Sequence, residues 1–123
     1  MAEIDKPPIK APHRKNKRKK ILAVIDLYKS ISDAPVGQGC LIDISYGGAS
    51  IESTVIFAKE QPIILNIPLS ETERYSITGY VLRIQELSLQ TYNYGIRFEK
   101  MSFMERLKLI TRVIPLLLRE RPV

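Results

Sequence analysis

The 123-residue sequence has no tryptophan, a single histidine and a single cysteine. His13, set in a basic and proline-containing stretch, cannot build a Ser/His or Cys/His nucleophile pair or a histidine-rich metal site, so no catalytic residue and no metal ligand is assigned. Cys40 has no partner for an internal disulfide; inside an apolar strand it reads as a small core residue in a reducing compartment rather than a nucleophile. No apolar run approaches the ~20 residues of a membrane span, and the N-terminus lacks the apolar segment of a secretory signal, which points to a cytoplasmic protein without a membrane span. Paired carboxylates are also scarce. Glu71 and Glu73 come nearest, and beside Arg74 in a polar turn they read as solvated charges rather than an acid/base pair.

Charge is present but unevenly placed. Residues 1–20 carry eight Lys or Arg against Glu3 and Asp5, a net of +6 that equals the formal charge of the whole chain. The body is therefore neutral, which argues against a broad nucleic-acid-binding face on the fold and leaves the tail as the strong anion-binding element. With Pro7, Pro8 and Pro12 and almost nothing apolar, the tail is expected to stay disordered until something negative orders it.

From Ile21 the chain reads as strands. Ile21–Tyr28 is β-branched and nearly continuous, residues 30–39 have loop composition, and Cys40-Leu41-Ile42 resumes the apolar pattern. Ala49 and Ile51 then share a face, as do Ile63, Leu65 and Ile67. Tyr75, Ile77, Gly79 and Val81 alternate with polar residues up to Leu82, and residues 90–98 alternate through Tyr92, Tyr94, Ile96 and Phe98. Six short strands with hairpin-length connections predict a mainly β fold, an antiparallel barrel or sandwich. Ser102 and Glu105 form a capping box before Phe103, Leu107, Ile110 and Ile114, whose spacing predicts a helix with that face on the barrel. Pro115 should kink or stop the helix. Leu116-Leu117-Leu118 cannot all face one core, and offers a surface for a homo-oligomer through the C-terminal helix.

The corner between the second and third strands concentrates the polar chemistry. In Asp43-Ile44-Ser45-Tyr46-Gly47-Gly48, Asp43 and Ser45 lie two apart on extended chain and so should face the same way, while the glycines give access to positive φ and bare backbone. An ordinary hairpin accounts for this stretch taken alone; a ligand-binding corner is the alternative.

Two motifs resolve that choice by resemblance. Arg14-Lys15-Asn16-Lys17-Arg18 matches RxxxR, and Asp43 to Gly48 matches D/NxSxxG, the paired motifs of PilZ domains, the bacterial receptors for cyclic di-GMP. Tyr94-Gly95-Ile96-Arg97-Phe98 is similar to the last barrel strand of that family, and the likeness runs over roughly residues 13 to 115. It implies a six-stranded antiparallel β-barrel with a C-terminal α-helix and a flexible basic N-terminal tail. The expected division is a disordered tail at 1–12 and a PilZ-like domain at 13–121, comprising a switch segment at 13–20, a barrel at 21–101 and a helix at 102–121.

The resemblance also implies the ligand, cyclic di-GMP, with no cofactor and no enzymatic activity. Arg14 and Arg18 would meet guanine and phosphate, where a planar fork binds bidentately. Asp43, Ser45, Gly47 and Gly48 would form the barrel side, with Asp43 accepting from guanine donors and the glycines leaving room for the base. Lys19 and Lys20 stand between the second arginine and the first strand, which predicts a lengthened hinge. Ligand-induced ordering of the tail would pass the signal to an unidentified downstream protein. Two alternatives are a PilZ-fold adaptor without nucleotide binding and a small basic barrel that binds nucleic acid, the latter disfavoured because the strands offer no row of exposed aromatics for stacking.

Overall fold

The computed structural model describes residues 19–30 and 34–119. Six strands, β1 (Lys19–Tyr28), β2 (Gly37–Ile44), β3 (Gly48–Ser53), β4 (Pro62–Pro68), β5 (Arg74–Ser88) and β6 (Thr91–Phe98), are followed by a helical C-terminus. Every neighbouring pair is antiparallel, and the order β1-β2-β3-β6-β5-β4 closes into a barrel. Of the barrel or sandwich that the strand pattern allows, the barrel is formed, as the PilZ resemblance implies. Residues 1–12 and the arginines of the switch segment lie outside the described residues.

Alternation explains the interior. Ile63, Leu65 and Ile67 of β4, Tyr75, Ile77 and Val81 of β5, and Tyr94, Ile96 and Phe98 of β6 are all buried at period two, and Ile25, Leu27, Leu41, Ile44, Ala49 and Ile51 complete the wall. Phe57, from the β3–β4 connection, packs edge-on against Tyr94 with ring centroids 5.3 Å apart. The Tyr94 hydroxyl donates to the Val55 carbonyl at 2.7 Å and accepts from the Phe57 amide at 3.1 Å, so this buried phenol is satisfied while it pins the loop.

Strand lengths and turns depart from the sequence reading in one hairpin. β5 continues six residues past Leu82 to Ser88, and Gln90, expected to begin β6, instead sits in the turn with φ of 71°. Leu82, Ile84, Leu87 and Leu89 are exposed there. Backbone pairing with β6 carries this extension beyond the barrel, which a search for buried alternation cannot detect.

The helix differs more. Ser102 caps it, its hydroxyl accepting from the Glu105 amide at 3.2 Å. The run then passes from α1 (Phe103–Lys108) through one π turn (Leu109–Val113) into α2 (Ile114–Arg119) without stopping at Pro115. Proline has no N–H to give the carbonyl four residues back, and the wider turn accommodates this: the Ile114 amide bonds Leu109, five residues back. The Thr111 hydroxyl meanwhile donates to the Leu107 carbonyl at 2.7 Å. One extra residue per turn rotates the buried face. Leu109, Val113, Ile114 and Leu117 face the core, while Phe103, Leu107 and Ile110, expected inside, are exposed. Of the three adjacent leucines, Leu117 is buried, Leu116 partly buried and Leu118 exposed. Among the described residues no helix is long and apolar enough to cross a membrane.

The face assignment has a direct check. Leu109→Ala should lower unfolding free energy by about 2–5 kcal/mol, as for a fully buried leucine, whereas Ile110→Ala should change it by no more than about 0.5–1 kcal/mol. Urea denaturation of both variants tests this, and equal losses would contradict the rotated face.

Candidate ligand-binding face

β2 ends at Ile44, and the polar corner follows. The Ser45 amide donates to the Gly48 carbonyl at 2.8 Å, the Ser45 hydroxyl donates to the same carbonyl at 3.3 Å, and the Gly47 amide donates to the Ser45 hydroxyl at 3.3 Å. Ser45 is only 1% exposed. Its side chain thus turns into the corner and holds the corner's shape. The strand ends at Ile44, so strand alternation does not govern where the Ser45 side chain lies.

The two glycines have other reasons than those expected of them. Neither has positive φ. Gly47 gives its carbonyl to the Phe98 amide at 3.0 Å, tying the corner to β6. A Cβ on Gly48 would lie 2.3 Å from the Ile96 carbonyl oxygen, so the close approach of β3 to β6 demands glycine at that position.

Asp43 is half-buried and lies on the outer wall. A bulge at Ile42 places it there: Leu41 pairs with buried Ile51, and Asp43 with outward Ser50. β1 approaches the same position, since Lys19 pairs with Ile44 and Lys20 with Asp43. Lys19 and Lys20 therefore belong to β1 rather than to a lengthened hinge. The register there passes through a second bulge, with Ile21 and Leu22 set against Ile42, and Leu22 has φ of 61°. Such a conformation costs a leucine about 1–2 kcal/mol.

Following the register outward from Asp43 reveals residues that motif reading missed. Asp43 pairs with Ser50, Ser50 with Gly95, and Gly95 with Arg83, a single row across β2, β3, β6 and β5. Asn93, one outward position away on β6, donates from its side-chain amide to the Ser50 hydroxyl at 3.0 Å. Arg83 donates to the Asn93 side-chain oxygen at 3.5 Å. Alternation in Tyr92–Ile96 already marked Asn93 and Gly95 as outward; only the cross-strand register brings them beside Asp43. Behind the corner, the Arg106 guanidinium lies 5.6 Å from the Tyr46 ring centroid, so α1 backs the loop. Tyr46, Gly47, Phe98, Met101 and Arg106 help to line a hollow of about 140 Å³ there.

The remaining candidates for chemistry are accounted for. Burial, with Glu52 nearby, pushes the Cys40 thiol up from its ordinary value, the opposite of what a thiolate nucleophile requires. Glu73 accepts an ion pair from Arg112 at 2.6 Å and its amide donates to the Ser70 hydroxyl at 3.1 Å, so it anchors the helix to the β4–β5 turn. Among the described residues no three His, Cys, Asp or Glu side chains gather as a metal site. Arg14 and Arg18 lie outside the described residues.

The PilZ domain profile matches residues 12–114. The chain belongs to the PilZ domain family. Its barrel is similar to that of YcgR from Escherichia coli in complex with c-di-GMP, at 20% identity and a TM-score of 0.65, over 88% of this chain and 47% of that one. It is similar to the MrkH–c-di-GMP complex of K. pneumonia at 15% identity and 0.64, over 86% of this chain and 53% of that one. The Bacillus subtilis inhibitor of motility MotI/DgrA matches at 17% identity and 0.60, over 94% of this chain and 58% of that one. The chain thus spans about half the length of these proteins, and at such identities the likeness is one of fold. No curated protein matches the chain in sequence. Within this PilZ barrel the D/NxSxxG positions divide in two: Asp43 faces outward, and Ser45 and Gly48 hold the turn.

The division is testable on the protein alone. Gly48→Ala should force β3 from β6 and lower the melting temperature by several degrees, on the order of the 4–8 °C that 1 kcal/mol shifts a domain of this size. Asp43→Ala, which removes no backbone contact, should lower it less. Thermal denaturation followed by circular dichroism reads both.

Proposed function

We propose that the chain is a cyclic di-GMP receptor that signals by ordering its RxxxR segment onto the Asp43 corner. The observation that carries this reading is the pairing of Lys19 with Ile44 and Lys20 with Asp43. Arg18 is the residue next to Lys19 in the sequence, so the motif directly precedes the strand end that meets the corner. Arg14 follows at four residues' remove.

The chemistry fits two guanines and two phosphates. The arginine forks suit guanine O6 and N7 or a phosphate, and Asp43, as an acceptor, suits the N1 and N2 donors of a guanine. Ser45, Gly47 and Gly48 contribute by fixing the corner that presents Asp43. The reading is supported by PilZ membership and by the c-di-GMP carried in the YcgR and MrkH structures that this fold resembles. The basic tail holds the whole net charge of the chain, so a dianionic ligand reduces the repulsion within the tail that opposes ordering it. The ordered segment then creates a surface for a downstream protein in the cytoplasm, and the signal needs no catalytic step.

Calorimetry should give cyclic di-GMP binding with a dissociation constant of about 1 µM or tighter. Arg18→Ala and Asp43→Ala should each weaken it by about tenfold or more, and Lys10→Ala by little, because lysine lacks the fork. Equal loss in all three, with binding that falls steeply with salt and accepts any nucleic acid, would favour the nucleic-acid reading. Absence of heat would favour the adaptor.

The switch is separable from the binding. Amide exchange should slow in residues 13–20 when cyclic di-GMP is added and change little in 103–119. Protection in 13–20 that is already complete without ligand would exclude the switch even where binding holds.

A further inference from the structure

Gly95 differs from Gly48 and Gly79, the other glycines where β6 meets its neighbours. A Cβ on Gly48 or Gly79 would strike a backbone carbonyl, the Ile96 oxygen at 2.3 Å or the Arg97 oxygen at 2.6 Å. On Gly95 the three nearest atoms would all belong to one guanidinium, with Arg83 Nη1 at 2.8 Å, Cζ at 3.0 Å and Nη2 at 3.2 Å. Strand packing makes no demand for glycine there; the cation lying over it does. Gly95 is buried beneath Arg83, whereas Arg83 itself is exposed.

That guanidinium is placed but weakly engaged. Among the described residues its hydrogen bond is the 3.5 Å contact to the Asn93 oxygen, and it has no carboxylate partner. An arginine serving only the fold would be expected to hold a shorter bond or an ion pair, as Arg74 does with Asp26 at 2.9 Å and Arg112 with Glu73 at 2.6 Å. Arg83 instead keeps most of its five donors available above a flat shelf made of Gly95, Ser50 and Asn93. Asp43 closes the other end of the same row.

Strands in a sheet lie about 4.8 Å apart, so Asp43 and Arg83 stand three steps, roughly 14 Å, from each other at the backbone. Because the Arg83 side chain folds back over Gly95, its charge sits about one step nearer, which leaves roughly 10 Å between acceptor and cation. A flat base held by Asp43 at its donor edge would extend along this shelf toward a group rich in acceptors.

We propose that Arg83 is a further ligand-binding residue of this face, which receives acceptor atoms of the cyclic dinucleotide, phosphate oxygens or guanine O6 and N7, at the end of the shelf opposite Asp43. Gly95 and Asn93 are its positioning residues. This inference rests on the receptor reading and extends it from the tail and corner to β5, an element outside both motifs. The fork matters more than the charge, since both acceptor groups are bidentate.

Calorimetric titration of the full chain with cyclic di-GMP tests it. Arg83→Ala and Arg83→Lys should each weaken binding by about tenfold, while Lys59→Ala, which removes an exposed charge elsewhere, should not. Gly95→Ala pushes on a flexible side-chain end rather than on backbone, so it should melt near the wild-type temperature yet bind less tightly. In the Arg83→Ala background the same Gly95→Ala change should cost nothing more, because its effect passes through the arginine. Wild-type affinity in Arg83→Ala, or a Gly95→Ala loss that persists without Arg83, would overturn the proposal and leave the receptor reading intact. A wild-type chain that does not bind cyclic di-GMP would overturn both.

Discussion

A barrel exists only if its first strand is held on both sides, and here the two sides are unequal. β1 pairs with β2 through seven residues but with β4 through three, Asp26, Leu27 and Tyr28. Its N-terminal half therefore lacks a β4 partner, and the helical C-terminus compensates: α2 packs against β1, and Leu109, Val113, Ile114 and Leu117 join Ile21 and Ile25 in one core. The seam is closed by side chains where it is not closed by backbone bonds. This explains why the helix tolerates a π turn. The turn brings Leu109 and Ile114 onto the same face, and without it one of them would leave the seam.

The neutral charge of the body has a structural counterpart. Ion pairs on it, such as Asp26 with Arg74, are exposed and contribute little to stability. The wall can therefore carry polar groups that hold no ion pair among the described residues, Asn93 and Arg83 among them, without loss to a fold maintained by its interior. Stability is drawn from the inner face of the strands, and the proposed ligand contacts from the outer face. The corner is the exception, because there Gly48 and Ser45 serve the backbone geometry that displays Asp43.

Period-two burial was legible wherever a strand had one wet face: β4, most of β5 and β6 followed from Ile63-Leu65-Ile67, Tyr75-Ile77-Val81 and Tyr94-Ile96-Phe98. The choice of a barrel over a sandwich, and the meaning of the corner, came instead from the PilZ resemblance. What could not be read were irregularities of the backbone. The bulges at Ile42 and Leu22, the π turn ahead of Pro115 and the extension of β5 beyond Leu82 change which residues are neighbours without changing local composition. The outer row from Asp43 to Arg83 depends on the bulge at Ile42 and on a further shift between Val81 and Arg83, so it emerges only from register. The helix face was misread for a related reason: Ile110 and Leu109 are equally apolar, and only the width of the turn between them and Ile114 decides which is buried.

The Leu22 bulge has a consequence for how this domain can vary. Side chains on a strand alternate between the two sides of the wall, so one extra residue inverts the parity of everything on its far side. The left-handed leucine therefore stores, in the backbone and at a cost of about 1–2 kcal/mol, the phase with which the chain enters the wall opposite Ile44 and Asp43. No side chain encodes that phase. Replacing residues one at a time would leave it untouched, whereas a one-residue insertion or deletion near Leu22 would shift the register in which β1 meets Ile44 and Asp43.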